Sequence, residues 1–159
     1  MRWLFCAMAV LAPVQAAALS CVPHSVEAAY QQAAQSEDTF VIALGVLSFD
    51  PALMPVVDLN RQDETEPRTE IPALLRGRLL TQATGGVEIP LTLAVLCYGP
   101  WCAQAQDGAE TLAFLKETPT GYELETNPCG GFMFQEPPAE MIRKVEECYR
   151  GAACEPPKF

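Results

Sequence analysis

Six cysteines, Cys21, Cys97, Cys102, Cys129, Cys148 and Cys154, follow the first twenty residues, and they constrain the fold more than any other feature of the chain. The twenty residues before them, MRWLFCAMAVLAPVQAAALS, place Arg2 ahead of an apolar run from Trp3 to Val14 and then a series of small residues. That is the layout of a secretory signal, and Cys6 leaves with it. Cleavage fits after Ala16, Ala18 or Ser20; acylation of Cys21 is disfavoured because Leu19 and Ser20 stand in the wrong order for it. An even cysteine count in a small exported domain reads as three disulfides, with fifteen pairings open at this point. The apolar run is shorter than the roughly 20 residues a membrane span needs, and no later segment is a candidate. The expected product is periplasmic or secreted, with no stable membrane insertion.

Beyond the signal (1–20) the segment 21–159 has length for one core, so a single domain is expected. All 20 acidic residues lie in it and 9 of the 10 basic ones, so its formal charge is 9 minus 20, or −11. Such a balance excludes a nucleic-acid partner and reads first as solubility, ahead of an acidic face for a basic partner.

Ser25 caps an amphipathic helix through Gln35, with Val26, Ala29, Tyr30 and Ala33 at helical spacing. TFVIALGVLSF, from Thr39 to Phe49, is a first strand buried along most of its length. Residues 58–70, DLNRQDETEPRTE, form a charged, solvated, flexible loop. ALLRGRLLTQ and VEIPLTLAVLCY make strands two and three around a turn at Ala83-Thr84-Gly85-Gly86, and Pro90 marks a bulge or an edge early in strand three. GPWCAQAQDGAE is a loop, TLAFLKE strand four, Thr120-Gly121 a turn and YELETN strand five. Pro137 and Pro138 open a C-terminal helix over 137–151, on which Met141, Val145 and Cys148 share a face with Ile142 and Tyr149 and which Gly151 ends.

Catalytic chemistry finds little support. His24 is the only histidine, which leaves zinc sites and His-based triads without ligands, and it reads as an ordinary surface residue. The carboxylate pairs Glu146-Glu147 and Asp63-Glu64 sit where they stay solvated. CYGPWC, from Cys97 to Cys102, has four intervening residues and follows a strand, so it reads as a staple rather than a working dithiol. No phosphate loop, dinucleotide fingerprint or nucleophile elbow is present. No catalytic residue, metal or cofactor is expected.

Five strands, the N-terminal LSCVPHSVEAAY and the stretch WCAQAQDGAETLAFLKETPTGYELETNPC together resemble the netrin-like module family, in particular the tissue inhibitors of metalloproteinases, over Cys21 to Cys129. The resemblance implies a mainly β fold: a five-stranded OB-type Greek-key barrel with a short N-terminal helix and a C-terminal helix, stapled by disulfides. It also implies a pairing. The family ties the second cysteine of its N-terminal pair to the one after strand five, giving Cys21 with Cys129; its first N-terminal cysteine corresponds here to Leu19, so Cys102 loses that partner and Cys97 replaces it, leaving Cys148 with Cys154. In the inhibitors the first cysteine approaches the protease zinc, and Leu19 in its place argues against carrying that function over.

The expected function is a non-enzymatic, monomeric binding module for an unknown protein partner, with Cys21, Val22, Pro23, His24 and Trp101 as candidate contact residues. The alternatives are a metallopeptidase inhibitor acting through the N-terminal segment, and third a thiol-disulfide protein using Cys97 and Cys102.

Overall fold

The computed structural model describes residues 19–80 and 85–157. The expected signal up to residue 18, the Thr81-Gln82 end of expected strand two and the Ala83-Thr84 part of the first hairpin turn lie outside the described residues. Among those described, no helix is long and apolar enough to cross a membrane.

Five strands close a barrel: β1 (Phe40–Phe49), β2 (Arg68–Leu79), β3 (Val87–Tyr98), β5 (Glu110–Thr118) and β6 (Gly121–Thr126). Around the ring the order is β1-β2-β3-β6-β5 and back to β1, all antiparallel except β3 with β6. One parallel contact between strands separated in sequence gives the Greek-key closure of an OB-type barrel. Two short strands add to it, β4 (Trp101–Cys102) on β3 and β7 (Met133–Gln135) on β5. Helices α1 (Val26–Gln35) and α2 (Ala139–Tyr149) pack on each other beside the wall.

Closure requires β1 to serve two neighbours, β2 over Ala43–Phe49 and β5 over Phe40–Val46. Where these spans overlap, Gly45 faces Gly77 across the ladder. A Cβ on Gly77 would run into the Leu44 carbonyl and the Gly45 Cα, and one on Gly45 into the Arg76 carbonyl. The barrel bends sharply here because two glycines let the backbones meet. Inside, Leu47, Ile71, Leu75, Leu93, Leu112, Leu115, Leu124 and Phe114 are wholly buried.

The strands follow the sequence reading with one substantial difference. The expected loop 58–70 ends at Pro67, because Arg68, Thr69 and Glu70 pair with Leu96, Val95 and Ala94. They are polar because this end of β2 has only β3 as a neighbour, β1 joining at Ala73. Arg68 reaches Glu123 at 2.7 Å and Glu125 at 3.4 Å on β6, holding the extension across β3. Pro90 lies in the part of β3 that pairs only with β2, the edge position its missing donor requires. Ser25 caps α1, its hydroxyl accepting from the Ala28 amide at 3.2 Å. In α2, Val145 and Cys148 are buried as expected while Tyr149 stays 49 % exposed, at the border of the packed face.

Candidate functional site

Three disulfides are formed, Cys21–Cys129, Cys97–Cys102 and Cys148–Cys154, the pairs that the family resemblance implies. The six cysteines among the described residues are therefore all oxidised, which fits an oxidising compartment.

Two of the bridges border one groove, through Cys102 on one side and through Pro128 and Gly130, which flank Cys129, on the other. β3 turns into β4 through Gly99-Pro100; Gly99 has a φ of 60° and proline fixes the next residue at a negative φ. Those are the signs a two-residue type II′ hairpin takes, which is why CYGPWC folds back on itself instead of opening a helix. Cys97 and Cys102 stand directly opposite, and the bridge between them locks the turn. The next pair, Tyr98 and Trp101, lies at the tip with 42 % and 43 % of its surface exposed. Two aromatic side chains are thus displayed on a hairpin with little freedom left to lose.

Beside it runs the N-terminal segment. Cys21 is bonded to Cys129 in the turn that follows β6. Three residues on, the His24 ring stacks on Phe134 of β7 with centroids 3.9 Å apart and planes within 5°. Its other face lies against Gly130, whose φ of 110° and missing Cβ make room for the ring. Nε2 donates to the Gly131 carbonyl at 2.9 Å. Loss of hydration in this stack lowers the imidazole pKa from its ordinary value, opposed by the hydrogen bond to Gly131. Between the anchors at Cys21 and His24, Val22 stands out with 81 % of its surface exposed.

A shallow groove of about 300 Å³ joins the two features, with Cys102 and Gln104 on one side and Asn127, Pro128 and Gly130 on the other. The expected contact residues lie next to this groove in the chain without lining it: Trp101 precedes Cys102, and Cys21 and His24 are held by Cys129 and Gly131 beside Gly130. His24 is the exception among them in kind, since its ring is engaged within the protein. Sequence reasoning missed Tyr98, which pairs with Trp101, and β7, which supplies Phe134 to the stack. Alternation in the hairpin register carries the signal for Tyr98; nothing local signals the stack.

Among the described residues, no three His, Cys, Asp or Glu side chains are grouped so as to hold a metal ion. The chain matches no protein-family model, no curated protein and no solved structure.

Proposed function

We propose that the protein is an exported, monomeric, non-enzymatic binding module of the netrin-like kind, periplasmic or secreted, that engages a protein partner through the end of the barrel carrying Cys21–His24 and Trp101. The observation that carries the reading is the locked hairpin: Tyr98 and Trp101 are exposed side by side above the Cys97–Cys102 bridge. Large aromatics give the most contact area per side chain at interfaces, and a scaffold already fixed in place loses little entropy on binding. Cross-linking in the exported fraction should capture a partner with the parent protein and lose it with Trp101→Ala or Val22→Asp. Undiminished capture by both variants would refute the reading.

The second reading, a metallopeptidase inhibitor, draws support from the pinned N-terminal segment with Val22 presented outward. It requires stoichiometric inhibition of a zinc endopeptidase that disappears when residues are added before Cys21. We expect no inhibition, because Leu19 stands where that family has its zinc-approaching cysteine.

A further inference from the structure

A groove runs between α1 and the barrel wall. One part, about 250 Å³, lies between Tyr30 of α1, Phe40 and Ile42 of β1 and Tyr149 of α2. The other, about 180 Å³, shares Phe40 and Phe114 with the first and is rimmed by Asp38, Glu123 and Glu125. Small-ligand sites typically span about 300–1,000 Å³, so neither part is sufficient alone and an occupant must enter both.

Charge identifies what suits the second part. Its one lining cation is Lys116, 3.8 Å from Asp38 and 3.5 Å from Glu123. Arg68 binds Glu123 and Glu125 from the side. Three carboxylates against these two cations leave one net negative charge. The C-terminus of α1 adds its partial negative charge, since Ser36 lines the same space and the last turn holds no basic residue. Phe40 and Phe132, tilted against each other with centroids 4.9 Å apart, supply ring faces that also favour a cation.

We propose that this groove binds a segment of a partner protein in which a basic residue neighbours an aromatic one. The guanidinium or ammonium sits among Asp38, Glu123 and Glu125, beside the Lys116 ammonium that reaches Asp38 and Glu123, and the aromatic side chain lies against Tyr30, Phe40 and Tyr149. Two compartments of side-chain size, one anionic and one aromatic, match two adjacent side chains of a peptide. The proposal is independent of the reading of the Cys21 end.

The test is a titration of the oxidised protein with acetyl-Phe-Arg-amide, whose only charge is the guanidinium, followed by amide chemical shifts. Shifts should concentrate at residues 30–42, at Lys116 and Glu125, and at Tyr149. The neutral acetyl-Phe-Gln-amide should bind about twofold to fivefold more weakly, the worth of one partly screened ion pair. Asp38→Asn with Glu125→Gln should weaken the Arg peptide by a similar factor, whereas Lys116→Met, which removes the competing cation, should tighten it. Arg76→Gln, on a strand outside the groove, should change nothing. Equal binding of the two peptides, shifts absent from the groove, or tightening by Arg76→Gln as large as by Lys116→Met would overturn the proposal.

Discussion

Removing the Cys21–Cys129 bridge should cost far more stability than removing either of the others, because the bridges differ chiefly in the length of chain they close. Cys21 and Cys129 are 108 residues apart, Cys97 and Cys102 only 5, and Cys148 and Cys154 only 6. The loop-entropy model assigns about 4.8 kcal/mol to the long bridge and about 2 kcal/mol to each short one. The variants should replace both cysteines by alanine, since Cys97 and Cys148 are buried and a serine hydroxyl there would need a partner. With an m-value of about 4 kcal/mol/M in guanidinium, the long-bridge variant should lose about 1.2 M in unfolding midpoint and each short-bridge variant about 0.5 M. The long bridge also holds the segment that places His24 on Phe134, so its removal loosens that stack as well. Urea and guanidinium titrations with matching m-values check the ordering. Equal losses for all three variants would refute loop length as the governing term, and a larger loss for Cys97 and Cys102 would mean that the hairpin, not the N-terminal tie, holds the barrel together.

Gly77→Ala should destabilise the fold by about 1–3 kcal/mol through overpacking at the β1–β2 crossing, measured as a fall in melting temperature, whereas Gly86→Ala, with only the Gly77 carbonyl near at 3.8 Å, should cost much less. His24 has a lowered pKa in the folded state, so the unfolded chain binds the proton more readily; its contribution to stability is whole above the unfolded value near 6.5 and is lost as pH falls through the folded value. Denaturant midpoints of the parent should therefore drop below pH 6.5 by more than those of His24→Phe, and parallel curves would contradict the stack as described. Arg68→Met should lower stability by about 1–2 kcal/mol, because Glu123, with 15 % of its side chain exposed, keeps only Lys116 as an ion-pair partner. An Arg68→Met, Glu123→Gln double variant that recovers part of that loss would confirm the origin of the cost.

The five strands were legible because they carry their own evidence, whereas their closure into a barrel was implied only by the family resemblance. β1 is nearly all apolar, β3 and β5 are rich in aliphatic residues, and the turns carry glycine. What escaped was structure stabilised from a distance. Arg68-Thr69-Glu70 reads as loop because edge residues are free to be polar, and only the salt bridges to β6 show why they are extended. β7 has three residues after a double-glycine turn, too few for any period, and depends on its ladder to β5. Tyr149 shares helical spacing with Val145 and Cys148, yet lies at the border of the packed stripe, where spacing alone cannot say which side is covered.

Site residues divide along the same line. Cys97 and Cys102 could be read as a staple from their spacing, and the structure supplies the reason for the intervening letters: glycine and proline fit the two corners of the turn, and tyrosine and tryptophan are the pair that the turn displays. The positions of Cys21 and His24, by contrast, depend on Cys129, Gly130 and Phe134, more than a hundred residues later. Local pattern contains no trace of such a contact, since loop closure over that distance is favourable only once the barrel exists to hold both ends. The N-terminal segment is held at Cys21 by the disulfide and again at His24 by the stack on β7, and Val22 between them is left to reach outward. A second anchor made of an aromatic stack instead of a disulfide weakens on acidification, as His24 takes up its proton, and the presentation of Val22 should loosen with it.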